Sequence, residues 1–334
     1  MATLLIRGEG IAGSCCIRLL REAGMDITVE AARRSKLPAI MLGEMSQKLM
    51  RDVFGRDDLF AGFQEIRRRV VAWGAEGETL TLPHSAVVAS EEELLERIQA
   101  GLGKCEEAKL DQPDWTIFAS SPLPPASIEH QFGSRPAAAS RVRLRHGCDA
   151  EACWIESVEN GWLFLLPNGK ETGWLLSVGD SVESLLTLSR LVKRQIGDVT
   201  PSRGTFPSHP RVAIPLSAPG WLACGTAALG FDPLCGDGAG NAVREAILGS
   251  AAVRAALAGG DAGGLSAHYQ ARLLAGFRRH LALCLDFYKS GRSGPWWDRQ
   301  LDDLKRGLVW CSEQLATSDA SRYRLNGFTL EPAE

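Results

Sequence analysis

Two glycine-rich stretches carry the residue types and spacing that could do chemistry. The first is Gly8-Glu9-Gly10-Ile11-Ala12-Gly13, spaced G-x-G-x-x-G, with Glu30 lying 20 residues after Gly10. In such a unit the first glycine allows a tight turn and the second lets backbone approach a diphosphate. The third lets helix and strand pack closely, and the distal carboxylate accepts from a ribose hydroxyl. Glu9 sits inside this loop and must turn its carboxylate away from any phosphate. Ala31, Arg33 and Arg34 follow Glu30; the arginines could reach an adenosine ribose or a phosphate, or form a solvated basic loop. Together these residues predict a dinucleotide site.

The second stretch runs from Gly225 through Thr226, Asp232, Pro233 and Cys235 to Gly236, Asp237, Gly238, Ala239, Gly240 and Asn241. It reads as strand, then glycine- and proline-rich loop, then helix start. Such a start offers free N–H groups and a positive dipole end to an anionic group. Cys235 could be a reactive thiol, but a small packed residue is the plainer reading. No nucleophile–base constellation is visible. The six histidines are scattered without ligand spacing, so no metal site is expected.

The elements that must position these residues follow from periodicity. Residues 2–7 and 26–30 read as strands around a helix at 14–23, and 115–121 and 221–225 as further buried strands. A helix is expected at 46–54, and Ser90 with Glu93 predicts a capping box for a helix at 91–101. Residues 64–71 and 79–88 form a hairpin-like pair. Residues 140–145, 152–156, 161–166 and 174–178 suggest an antiparallel sheet. Amphipathic helices are expected at 182–195, 242–258, 265–288 and 295–315.

Size and composition fit this reading. The chain has 334 residues, a net charge of −3 and 45% hydrophobic residues, which suits a globular protein with no general basic surface for nucleic acid. No apolar run approaches the ~18 residues of a membrane span. The first strand starts at once, so no signal peptide is expected. The nine cysteines form no C-x-x-C pair and read as reduced thiols of a cytoplasmic protein.

Gly8-x-Gly10-x-x-Gly13 with Glu30, and Gly225-x-Ala227-Ala228-x-x-x-Asp232-Pro233-Leu234-x-Gly236-x-Gly238-x-x-Asn241, resemble the FAD-dependent monooxygenases of the p-hydroxybenzoate-hydroxylase fold. Within them the chain is most similar to the branch of flavin-dependent halogenases, geranylgeranyl reductases and flavoproteins that modify tryptophan in quinone-cofactor amine oxidases. Gly43-Glu44, the strand Gly161-Trp162-Leu163-Phe164-Leu165-Leu166-Pro167, and Phe287-Tyr288 with Pro295-Trp296-Trp297 fit that branch. The resemblance implies an α/β chain: a Rossmann-like FAD-binding domain, an inserted mainly antiparallel β-sheet substrate domain, and C-terminal helices. The expected division is 1–62, 90–125 and 205–260 for FAD, 63–89 and 126–204 for substrate, and 261–334 for the helical region.

The resemblance also implies FAD as cofactor, held by Gly8, Gly10, Ile11, Ala12, Gly13, Glu30, Ala31, Arg33, Arg34, Gly225, Thr226, Asp232, Gly236, Gly238, Ala239, Gly240 and Asn241. Pro233 would lie at the flavin edge, Trp162 and Phe164 would wall the substrate pocket, and Glu44 would contact the active site or only cap the next helix. For the two aromatics a core role is the plain alternative. Two departures stand out. Thr226 occupies the position of an aspartate that bonds the ribityl chain, and its hydroxyl can still do so. The segment 64–74, where halogenases carry their lysine, holds Arg67, Arg68 and Arg69 and no lysine, so chlorination is not expected. Those arginines read as solvated, or as a lip for an anionic or peptide substrate.

The implied activity is hydroxylation of an aromatic or indole substrate, small or peptide-borne, through a flavin C4a-peroxide. A dry pocket and fixed charges are what the protein supplies. Electrons would come from a separate flavin reductase or from NAD(P)H. The alternatives are a flavin-dependent alkene reductase of the prenyl-reductase type, and a degenerate non-catalytic flavoprotein acting as a maturation partner.

Overall fold

The computed structural model describes residues 2–32, 35–75, 78–103, 112–200, 202, 204–235, 237–316 and 323–333. Its opening strand, Thr3–Arg7, carries Leu4, Leu5 and Ile6, all buried. Consecutive buried apolar positions need cover on both faces, which a parallel sheet flanked by helices provides. The strand pairs in parallel with Asp26–Glu30 on one side and Trp115–Phe118 on the other, setting Arg7 opposite both Glu30 and Phe118. Trp221–Ala223 extends the sheet in parallel beside Trp115–Phe118, and Ser217–Ala218 closes that edge antiparallel.

Helix α1 (Ile11–Glu22) packs against this five-stranded sheet. It starts directly after Gly10, three residues earlier than the apolar pattern suggests, because glycines in its first turn hide the start from periodicity. Helices α2 (Glu44–Phe54) and α3 (Glu91–Gln99) follow. The capping box of α3 is formed: the Glu93 N–H donates to Ser90 Oγ at 3.1 Å, and the Ser90 N–H donates to the Glu93 carboxylate at 3.3 Å.

The hairpin 64–88 and the strands of 140–178 belong to a single nine-stranded sheet. Its order runs Ile196–Thr200, Pro136–Leu144, Thr172–Gly179, Gly161–Pro167, Ala152–Val158, Gln64–Ala72, Thr79–Ala89 and Ile40–Gly43, with Phe206–Pro207 also beside Pro136–Leu144. Gln64–Ala72 joins Ala152–Val158 in parallel, and the other pairings are antiparallel.

One expected helix is interrupted. Residues 182–195 form α4 (Val182–Leu188) and a separate 3-10 turn, Val192–Gln195. The buried Glu156 carboxylate, on a neighbouring strand, accepts from the backbone N–H groups of Arg190, Leu191 and Val192. Those donors take a carboxylate in place of the helical carbonyls, and the helix ends there.

Helices α5 (Gly238–Leu257), α6 (Ala262–Lys289) and α7 (Pro295–Ala316) complete the main body, and the chain finishes in a hairpin of Tyr323–Asn326 with Thr329–Pro332. Trp162, Tyr288 and Trp297 have no exposed surface and join the nine-stranded sheet to α6 and α7 within the main core. Among the described residues no helix is long and apolar enough to cross a membrane. The described cysteines are free; Cys105 lies outside the described residues.

Candidate functional site

The carboxyl ends of the parallel strands Thr3–Arg7, Trp115–Phe118 and Trp221–Ala223 lie side by side. Ligands of open parallel sheets bind at this edge. Gly8 turns the chain out of the first strand with φ +106°, a conformation that side chains disfavour, and its N–H donates to the Glu30 carbonyl at 2.9 Å. A Cβ on Gly8 would overlap Ser120, reaching 2.8 Å from its Cβ. A Cβ on Gly13 would collide with the Gly8 carbonyl oxygen, so helix and strand touch backbone to backbone. Gly10 caps α1 without a side-chain partner for the first N–H groups. Ile11 and Ala12 are buried beneath the loop. Ser120 is 3% exposed, and its Oγ has no hydrogen-bond partner. A buried hydroxyl costs free energy unless something satisfies it.

Glu9 turns its carbonyl inward, where it accepts from Ser14 Oγ and Gln99 Nε2, both at 3.2 Å. Its half-exposed carboxylate lies 3.9 Å from Lys36. Glu30 is paired with Arg7, whose Nε donates to it at 2.8 Å. Ala31 is exposed beside it, while Arg33, Arg34 and Gly236 lie outside the described residues.

The second stretch meets the first directly. Gly225, at φ +56°, approaches so closely that an added Cβ would lie 2.8 Å from Ala12 Cβ and 3.1 Å from the Ala119 carbonyl oxygen. Thr226 is exposed, and its carbonyl accepts from Arg211 at 2.7 Å. Asp237 caps α5 by accepting from the Gly240 N–H at 3.0 Å, which starts the helix earlier than expected from 242–258. Its other oxygen accepts from Ser46 Oγ of α2. A Cβ on Gly240 would strike both partners, so this first turn requires glycine. Gly238 is exposed, and Ala239 and Asn241 are half-buried. The starts of α1, α2 and α5 thus converge, with Glu44 exposed in the first turn of α2.

Asp232 and Trp162 depart from expectation. Asp232 is fully buried, and its carboxylate is engaged by Arg135 at 2.9 Å, the Tyr288 hydroxyl at 2.9 Å and the Leu234 N–H at 2.9 Å. No face of it is left for a cofactor. Trp162 is likewise fully buried, and its indole N–H donates to the Tyr288 hydroxyl at 3.1 Å, so it walls no open pocket. Both residues instead bond to the Tyr288 hydroxyl. Sequence reasoning missed Arg135 and placed Tyr288 only among the C-terminal helices, because the partners come together only in three dimensions. Phe164 and Pro233 are both half-buried.

His280 joins this network: its Nε2 accepts from the Asp232 N–H at 2.9 Å. Burial holds His280 down to about 4, against the pull of Asp232, so the ring is neutral near pH 7.

Glu245 was also missed. It lies on the buried side of α5, and its carboxylate accepts from the Gly225 N–H at 2.6 Å. Burial pushes it up to about 8, despite that N–H. The sign follows: between about pH 4.5 and 8 the folded chain holds a proton that the unfolded chain has released. Stability therefore falls as pH rises through that window and levels off above it. Glu245→Gln keeps the acceptor without the titration. Urea unfolding at pH 5, 6, 7 and 8 should show the variant gaining on wild type with pH, on the order of several kcal/mol at the upper end.

No family model matches the sequence, and no curated protein matches it. The fold does have solved neighbours. The peptidyl tryptophan dihydroxylase QhpG, essential for tryptophylquinone cofactor biogenesis, superposes with a TM-score of 0.71 at 16% identity, covering 99% of this chain and 86% of that one. The myxobacterial chondrochloren halogenase CndH, a variant of FAD-dependent halogenases, gives a TM-score of 0.73 at 14% identity, covering 95% and 91%. HpxO of Klebsiella pneumoniae, solved with FAD, gives 0.63 at 16% identity, covering 95% of each chain. The chain has the fold of the FAD-dependent monooxygenases and halogenases. In this fold the two glycine-rich stretches adjoin at one sheet edge. A buried serine without a partner faces the first cradle, and its donors suit a diphosphate.

Proposed function

We propose that the protein is an FAD-dependent monooxygenase acting on an aromatic or indole substrate, small or borne on a peptide. The observation that carries this reading is the contact of the two cradles, Gly225 against Ala12, at the carboxyl edge of the parallel sheet. A single extended dinucleotide can span them. Gly8, Gly10, Gly13 and the start of α1 would hold the diphosphate, with Ser120 as a further donor. Glu30 would take the ribose, and Gly225, Thr226 and the start of α5 would face the flavin. Bound FAD supplies oxygen activation and transfer.

The chain's own residues bind, orient and exclude water. The Arg135–Asp232–Tyr288–Trp162 network fixes Pro233 at the flavin edge, and a fixed loop holds reacting groups in register. Asp237, bonded to Ser46 and the Gly240 N–H, fixes the first turn of α5 against α2. The solved neighbours include a tryptophan dihydroxylase, which favours an indole substrate. Residues 64–74 offer no lysine for halogenation, and Arg67 and Arg68 are taken up by Glu65, Asp149 and Glu151. Electrons come from a separate flavin reductase or from NAD(P)H.

The experiment incubates the FAD-loaded protein with a flavin reductase and NADPH, and separately with NADPH alone. Tryptophan, N-acetyltryptophanamide and a tryptophan-containing peptide serve as substrates, with products read by mass spectrometry. Incorporation of one or two oxygen atoms from labelled O2 is the expected result. Peroxide release without oxygen incorporation into any of them would overturn the reading.

A further inference from the structure

A cavity of about 710 Å3 lies between α5, α6 and the C-terminal hairpin. It borders the second glycine stretch at Asp237 and Asn241, but neither the Gly8–Gly13 loop nor Trp162 lines it. Its floor is apolar, with Phe231, Leu248, Leu273 and Phe277. Its rim carries four guanidinium groups, from Arg244, Arg272, Arg279 and Arg324.

The charges in this cavity do not cancel. Asp237 is shared among Arg244 at 3.3 Å, Ser46 and the Gly240 N–H. Glu245, the other acid in the lining, is buried and bonded to Gly225. Among the described residues Arg272, Arg279 and Arg324 have no carboxylate within ion-pair distance. The hairpin strand that supplies Arg324 is anchored to α6 by an edge-on contact of Tyr323 with His268, at 5.5 Å between ring centroids. Three unmatched guanidiniums, two from α6 and one from the hairpin, border one apolar-floored cavity and form a preset anion trap, since each offers a planar fork to a carboxylate or phosphate. The volume suits a ligand of drug-like size.

We propose that this cavity is a second binding site, separate from the nucleotide cradle, for an organic anion with a flat apolar body and a carboxylate or phosphate head. The apolar body rests on Phe231 and Leu283, and the head lies between Arg272, Arg279 and Arg324. Because the cavity shares Asp237 with the start of α5, its occupancy bears on the flavin-facing loop. The proposal stands whether or not the monooxygenase reading holds.

Calorimetric titration of the full chain tests it, with and without FAD. The probes are 1-naphthoate, 1-naphthyl phosphate and the uncharged 1-naphthalenemethanol. Saturable binding of at least one charged probe, tenfold or more tighter than the alcohol and weakening as salt rises, is expected. Comparison of the carboxylate with the phosphate identifies the head group. The double variant Arg272→Gln/Arg279→Gln should lose at least tenfold in affinity for the charged probe and keep its circular dichroism and its response to FAD. Equal affinity for charged and uncharged probes, an unchanged affinity in the variant, displacement of the probe by FAD, or no saturable binding would each overturn the proposal.

Discussion

Replacing Gly8 by alanine should abolish measurable FAD binding, with an affinity loss of at least about a hundredfold. Two effects add. Gly8 sits at φ +106°, where an L side chain is strained, and the new Cβ would overlap Ser120. The turn must open, which displaces the first N–H groups of α1 and the Ser120 hydroxyl together. Loss of two or three charge-assisted hydrogen bonds to a diphosphate, each worth about 1.5–3 kcal/mol, accounts for the size. Gly24→Ala supplies the control. Gly24, at φ +76° beyond the far end of α1, has open space where a Cβ would go. It carries a comparable backbone penalty without touching the cradle. Flavin fluorescence titration of both variants, with thermal melts alongside, should show both folded at the titration temperature, Gly8→Ala melting lower because of the added overlap, and binding lost only in Gly8→Ala.

The largest stability effect is expected at Arg135. Arg135→Met leaves the Asp232 carboxylate fully buried without its cation, and breaking a buried ion pair from one side costs about 3–5 kcal/mol. The guanidinium also sits over the Tyr288 ring, 5.0 Å from its centroid, and donates to Gln300 at 3.1 Å. Its removal therefore loosens the Pro233 loop at several points. The double variant Arg135→Met/Asp232→Asn removes the stranded charge and should recover much of the loss. Urea midpoints of wild type, single and double variants measure this; equal midpoints for the two variants would show that charge is not the cause.

The parts of this fold that were legible in sequence are those written locally. The first strand, the glycine spacing, Glu30 and the Ser90–Glu93 box each depend on neighbours within a turn or a unit, and periodicity reads them. Helix starts at Gly10 and Asp237 were hidden, because glycine in a first turn looks like loop until the crowding by Gly8, Ser46 and Asp237 is seen. The break after Leu188 depends on Glu156 from another strand, which no local pattern discloses. By its place in the glycine stretch Asp232 reads as a cofactor ligand. Its partners, Arg135 and Tyr288, arrive from distant segments, and they turn it into a buried anchor. Glu245 had a weak signal: an acid on the apolar side of α5, where a charge needs a reason.

Hydrogen–deuterium exchange of the folded chain, with and without saturating FAD, tests the central claim most directly, because one molecule spanning both cradles must slow exchange in both. Protection of residues 8–13 and 225–241, rising together with FAD concentration along a single binding curve, is the predicted result. Protection confined to one of the two segments, or to neither, in a chain whose circular dichroism shows it folded, would contradict the account.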